Sequence, residues 1–337
     1  MPRPNEDAFL GSLLGLAIGD ALGMPLAGLS AATIRERHGR LTEFMPLTLA
    51  DGTEVPAGEF TDESELALCV VEAVSANNGV VDVDLIAPRM VHMATGDSRH
   101  WLADASAAAL DHAGEHLEFR VPLDEDGPAT GDVAARAVPI GLLHSVGRFH
   151  PAAMADDVRQ IVSITHGSPA AVTAGIAAAA AVRLAARSET DQAGWPEEVA
   201  DLLGGGAVAD RLRNAGRTGH DAASLAARAE SIGTGLAAEE SVVCAVVLAA
   251  AAPTFEEAVV AAVNAGGAAD TVGALTGAIA GARFGSAGIP QRLIDALGGR
   301  IYVSLGAPWL FRAAQHRAGQ LINLRPAPPR PTMPPRY

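Results

Sequence analysis

Glycine recurs at every fourth position in two apolar stretches, one near each end of the chain. Gly11, Gly15, Gly19 and Gly23 punctuate GSLLGLAIGDALG, and Gly273, Gly277 and Gly281 punctuate NAGGAADTVGALTGAIAGARFGSAGIP, with Gly285 one turn beyond. On a helix this period strips one face to bare backbone. Each interior glycine costs a helix about 1 kcal/mol relative to alanine, so such a face needs a packing reason. Close approach of another helix, or of a ligand, supplies one. Two bare faces at opposite ends of the sequence predict a domain closed through its termini.

The remaining pattern is helical. Leu10, Leu13, Leu14, Ala17 and Ala21 give the first helix (residues 7–23) its apolar face, and Leu66, Cys69, Val70, Ala73 and Val74 follow the same rule after a start at Thr61. Further helices are expected over 103–113, 169–186, 239–252 and 255–263. Strand-like runs are few and short (His116–Val121, Arg300–Leu305). The expected fold is all-α, a compact multi-helix single domain over residues 7–322. Residues 1–6 are expected to be a flexible N-terminus and 323–337, rich in proline, a mobile tail.

Composition removes several function classes. The chain has 337 residues and a net charge of −15, and all 24 of its basic residues are arginine. That balance argues against a nucleic-acid backbone or an anionic membrane as partner. The absence of lysine excludes a P-loop lysine and Schiff-base chemistry. The start, MPRPNEDAF, does not read as a signal peptide. Cys69 and Cys244 lie in apolar helical patterns and are expected to be reduced core thiols. The expectation is a soluble, cytoplasmic protein.

Candidate chemistry concentrates at helix starts. Asp20, in the last turn of the first helix, opposes the helix dipole and calls for a compensating contact. Thr61 is the natural cap of the helix it begins, and Asp62, Glu63 and Glu65 crowd its first turn. Acids there stabilise any helix; they are also what a hard divalent cation needs. Asp270 and Thr271, after the Gly266–Gly267 turn, read as capping residues of a second such start. Gly131 and Asp132 open a helix whose N–H groups could meet an anion, and His166 precedes the Ala-rich helix. His112, Glu115 and His116 match a zinc-peptidase spacing, but Gly114 and the extended-looking LEFRVP beside them argue against a shared helical face.

Four segments, GSLLGLAIGDALG, FTDESE, the pair GDVAARAVPIGLL with ITHGSPAA, and NAGGAADTVGALTGAIAGARFGSAGIP, resemble the ADP-ribosylglycohydrolase family in consistent order over roughly residues 8–295. The resemblance implies an all-α fold with a magnesium site that holds an ADP-ribose moiety, whose bond at the anomeric carbon is hydrolysed. It places Thr61, Asp62, Glu63, Asp270 and Thr271 on metal-ligand positions. Asp62 and Glu63 take the catalytic role, and Asp20, Gly131, Asp132, His166, Gly266 and Gly267 the substrate-binding one. Three positions depart from the family pattern in their oxygen-bearing side chains. Ala268 replaces an Asp ligand, Ala27 aligns with a common Glu, and Glu63 stands where Asp is usual; Asp132, in addition, replaces a usual Asn. One Mg²⁺ (with Mn²⁺ as a substitute) is therefore expected in preference to two. Two functions follow as expectations: hydrolysis of an ADP-ribosyl or related NAD-derived substrate, or an inert ADP-ribose-binding or interaction protein.

Overall fold

A computed structural model describes residues 5–127, 129–187, 191–218 and 224–320. The expected proline-rich tail, 323–337, and residues 1–4 of the expected N-terminal segment lie outside the described residues. The chain is all-α as expected. In order, the helices are α1 (Glu6–Gly23), α2 (Ala31–His38), α3 (Asp62–Ala76), α4 (Val83–Ala94), α5 (Asp104–His116), α6 (Asp132–Ala135), α7 (Val138–Leu143), α8 (Pro151–Val162) and α9 (Pro169–Arg187). The second half adds α10 (Trp195–Leu203), α11 (Ala207–Thr218), α12 (Leu225–Ile232), α13 (Ala238–Ala251), α14 (Phe255–Asn264), α15 (Ala269–Phe284), α16 (Gln291–Ala296) and α17 (Arg300–Arg317). The one sheet among the described residues pairs β1 (Leu47–Thr48) antiparallel with β2 (Glu54–Val55).

The two glycine stripes face each other. α1 and α15 run antiparallel with backbones in contact, and a Cβ added at Gly11, Gly15, Gly19 or Gly23 would lie 2.3, 2.1, 1.9 or 2.1 Å from the carbonyl oxygen of Gly281, Gly277, Gly273 or Ala269. No rotamer change relieves a clash with a backbone oxygen, so the stripe is obligatory at this separation. The pair is locked at one end by Asp7, whose Oδ1 accepts from the Ser286 N–H at 3.1 Å and from the Ser286 hydroxyl. Phe9, Leu13, Ile18, Phe255, Leu275 and Trp195 belong to a single apolar core built around this pair.

Two strand-like readings need correction. Arg300–Leu305 is the first part of α17, because Val303, Ala307, Leu310 and Ala314 bury one face at helical spacing. His116 ends α5, and residues 117–120 form no strand. α1 and α9 are long and apolar enough to cross a membrane by length and composition; 94% of the α1 window is buried inside the protein.

Candidate active site

The C-terminal turn of α1 and the start of α3 are joined through one carboxylate. Asp20 is fully buried; its Oδ2 accepts from the backbone N–H of Thr61 (3.0 Å) and Ser64 (3.1 Å) and from the Ser64 hydroxyl (2.6 Å), and its Oδ1 accepts from the Thr61 hydroxyl (2.8 Å). Asp20 therefore caps α3 from another helix, and Thr61, expected to be the cap, makes no side-chain capping bond. Asp20, expected among the substrate-binding residues, spends its oxygens here on holding the start of α3. Burial, and then the charge of Glu63, hold its carboxyl well above the usual carboxylate range.

The start of α15 arrives opposite. Gly266 and Gly267 adopt left-handed φ values of 75° and 70° and are wedged between the Leu29 and Thr234 carbonyls, which a Cβ would meet at 2.3 and 2.2 Å. The N-cap position is Ala268, with no side-chain cap, so Asp270 and Thr271 lie inside the first turn and do not cap it. Asp270 Oδ1 accepts from the Thr271 N–H at 2.8 Å. The Thr271 hydroxyl donates to Glu63 Oε1 at 2.5 Å. Glu63 Oε2 lies 2.7 Å from the Thr61 hydroxyl, which also reaches Asp20 yet has one proton to give. Asp62 is buried alongside; burial, and then Glu63, which is both a charge and a hydrogen-bond partner, push its carboxyl well above the usual range. Burial and the Glu63 charge push Asp270 up to about 7.

A second group completes the cluster. Asp132 is buried, and its charge reaches both Asp62 and Asp270. Its Oδ2 lies 3.6 Å from Arg136 Nη2 and accepts from the Ser106 hydroxyl at 3.4 Å. Arg136, 1% exposed, also donates to Ser106 Oγ (3.3 Å) and Thr165 Oγ1 (2.5 Å), and Thr165 Oγ1 is 2.9 Å from His166 Nδ1. Burial, and then the Arg136 charge, lower the His166 pKa to about 4, so its imidazole is neutral near pH 7. His166 Nε2 and Asp132 Oδ1 are buried without a protein partner. Buried polar atoms of that kind are normally satisfied, so these two are the unmatched groups of the Asp132–Arg136–Thr165–His166 chain. The sequence reading missed Arg136 and Ser106; an arginine four residues after Asp132 in the largely apolar DVAARAVPIGLL was the available signal.

The N–H groups of the glycine loops are bonded within the protein. The N–H of Gly131 donates to Leu236 O (2.8 Å), that of Gly266 to Val263 O (3.4 Å), that of Gly267 to Leu29 O (2.9 Å) and that of Ala268 to Thr234 O (2.7 Å). Those donors hold the loops together. Gly131 has a steric role as well, since a Cβ there would lie 2.1 Å from Ser241 Oγ. α6, which Gly131 begins, is a single turn of four residues.

The donor set is all oxygen, which suits a hard divalent cation. The Glu63 charge beside Asp62 raises its carboxyl, and like charges so placed favour a proton or an added cation. Among the described residues, however, no group of three or more His, Cys, Asp or Glu side chains is placed to hold a metal ion. The Ala268 methyl offers no oxygen at the start of α15, and Ala27 is exposed. A cation here would draw on fewer than three carboxylates, with threonine hydroxyls and water completing its shell.

Other candidates fall away from this cluster. His112 and His116 stack on α5 with ring centroids 4.3 Å apart, and His112 pairs with Glu118 in an exposed position. Cys69 and Cys244 are buried free thiols, each pushed up to about 12 by burial. A cavity of about 310 Å³ between Pro196, Ala215, Val247 and Arg283 includes none of the acidic cluster.

The comparisons agree with the architecture. A protein of Archaeoglobus fulgidus, described as uncharacterized, is 28% identical over 91% of this chain and 96% of its own length. The uncharacterized protein YegU of Escherichia coli (strain K12) is 29% identical over 83% of this chain and 88% of its own. A solved structure described as an ADP-ribosylglycohydrolase-related protein complex superposes with a TM-score of 0.68 at 28% identity, covering 92% of this chain and 98% of that one. The ADP-ribosylglycohydrolase profile matches residues 1–325. With its helix starts meeting at Glu63 and Thr271, the chain belongs to the ADP-ribosylglycohydrolase family.

Proposed function

We propose that the protein hydrolyses the glycosidic bond at the anomeric carbon of an ADP-ribosyl or related NAD-derived nucleotide, assisted by one Mg²⁺. The observation that carries this reading is the meeting of Asp62, Glu63, Asp270 and Asp132 in one largely buried acidic cluster, with helix starts far apart in sequence tied by the Thr271–Glu63 hydrogen bond. Asp62, Asp270 and the hydroxyls of Thr61 and Thr271 would hold the ion, which supplies charge compensation and polarisation of substrate oxygens.

The division of labour between the carboxylates follows from their partners. Both oxygens of Glu63 meet threonine hydroxyls, so Glu63 organises the site. Asp62, beside Glu63 in the first turn of α3, is the base that would take a proton from the attacking water at the oxocarbenium-like centre. Neutral His166 with a free Nε2, and Asp132 with a free Oδ1, offer hydrogen bonds to a polar nucleotide.

Purified protein with Mg²⁺ or Mn²⁺ should release ADP-ribose or its analogue from at least one of ADP-ribosylated arginine, ADP-ribosylated serine, ADP-ribose phosphate or NAD-like nucleotides. No release from any of them removes this reading for those substrates. A second reading, an ADP-ribose binder without turnover, is favoured by Ala268, whose methyl stands where the family carries an oxygen ligand. Calorimetry separates the two: binding of ADP-ribose that is insensitive to chelator, without turnover, supports the binder. A small NAD-derived metabolite in place of a modified protein belongs to the first reading.

A further inference from the structure

α17, the last described helix, carries an apolar stripe on its outer face. Ile301 is 70% exposed, Leu305 57% and Trp309 60%, with Tyr302 beside them at 49%. Residues 301, 305 and 309 are spaced by four, so they share one line along the helix; the exposed Pro308 and Arg312 extend it toward the helix C-terminus. The opposite face buries Val303, Ala307, Leu310 and Ala314, so the stripe does not belong to the core. Four large apolar side chains aligned on one helix face form the kind of exposed surface that marks an interaction site.

The sequence names an occupant. Residues 321–337, LINLRPAPPRPTMPPRY, follow α17 directly and hold six prolines, three arginines and no acid. We infer that this proline-rich segment docks along the Ile301–Leu305–Trp309 stripe of α17, in the same chain.

Three arguments converge. Proline-rich segments in the polyproline II form lose little entropy on binding and pack their rings against exposed aromatic side chains, the recognition that Trp309 and Tyr302 invite. The segment is cationic in a chain of net charge −15, and Glu72, about half-exposed, borders the stripe, its Oε1 accepting from the Tyr302 hydroxyl and its Oε2 lying 3.6 Å from Arg89. The reach is ample: sixteen helical steps from Arg317 back to Ile301 cover about 24 Å, whereas seventeen residues of polyproline II span about 50 Å.

The test uses the full-length chain carrying Trp101→Phe, which leaves Trp309 and the fully buried Trp195 as its tryptophans. Acrylamide quenching and emission maximum are measured at low and high salt, for this chain and for two variants of it. One is Arg325→Glu/Arg330→Glu/Arg336→Glu; the other is Pro328→Ala/Pro329→Ala/Pro331→Ala. Far-ultraviolet circular dichroism confirms that all three are folded. The expected result is a shielded Trp309 at every protein concentration, with a red-shifted emission and increased quenching in both variants. Equal quenching in parent and variants overturns the inference, as does shielding that survives both sets of substitutions. Shielding that grows with protein concentration, together with a dimer mass by light scattering, also overturns it and gives the stripe to a second copy of the chain.

Discussion

Thr271, in the first turn of α15, donates its hydroxyl proton to Glu63 in the first turn of α3, at 2.5 Å and across 208 residues of sequence. This bond makes one site of two helix starts. Replacing Thr271 by Val keeps the shape and leaves Glu63 Oε1 buried without that donor, at a cost of about 1–3 kcal/mol. Thr271→Ser should restore most of the stability. Chemical denaturation of the three proteins measures both effects, and equal stability of the Val variant and the parent would count against the bond.

The glycine interlock predicts a sharp contrast among Gly→Ala substitutions. Gly15→Ala and Gly19→Ala drive a methyl into a backbone carbonyl of α15 and should cost about 3 kcal/mol or more, the upper part of the range for overpacking. Gly205→Ala, in a loop with no heavy atom within 4 Å of the new methyl, should be close to neutral. Thermal unfolding of the three variants decides it.

Stability should depend on pH with a defined sign. Asp270 has its folded-state pKa raised to about 7 from 3.8, and Asp62 and Asp20 are raised in the same direction. A carboxyl with a raised folded pKa favours the native state while it is protonated, so its contribution is complete below the unfolded pKa and is lost as pH rises through the folded pKa. In chelator, the melting temperature should therefore decline between about pH 4 and pH 7, and Asp270→Asn should flatten that decline. A melting temperature that rises across this window in the parent would contradict the assignment.

Metal removal supplies a separate check. Mg²⁺ added to chelator-stripped protein should raise the melting temperature, by the equivalent of about 2.7 kcal/mol at a hundredfold excess over the dissociation constant. Asp62→Asn should lose that shift and, if its carboxylate is the base, at least about 100-fold in turnover. Retention of the full shift in Asp62→Asn would remove Asp62 from the ligand set.

Arg136 is buried against Asp132, Ser106 and Thr165. Arg136→Met leaves the Asp132 carboxylate without its cation, at about 3–5 kcal/mol. Arg136→Met/Asp132→Asn should recover part of the loss, because the stranded charge goes with its partner. A double-mutant cycle by urea denaturation measures that coupling.

The parts of the molecule visible in the sequence are those set by local spacing. The four-residue glycine period announces the α1–α15 contact, since nothing but backbone proximity justifies it. The acids after Thr61 and at Asp270 likewise mark the helix starts that converge. What the sequence hides is which group serves which. Thr61 occupies an N-cap position, yet the capping is done by Asp20 from another helix, a tertiary arrangement no local pattern encodes. The Gly131, Gly266 and Gly267 amides read as free donors because their partners, the carbonyls of Leu236, Val263 and Leu29, belong mostly to distant loops. Ile301 and Val303 read as strand by β-propensity, and packing against α1 and α3 overrides that preference.

The antiparallel contact between α1 and α15 also sets a timetable. At about 5–20 residues per second, the first helix leaves the ribosome tens of seconds before its counterpart is made. Throughout that interval it is an apolar rod with its cleft-forming surface bare and Asp20 holding nothing. A nascent chain halted anywhere short of α15 thus carries a lasting liability to misassociation, and the acidic site cannot be assembled until α15 has emerged.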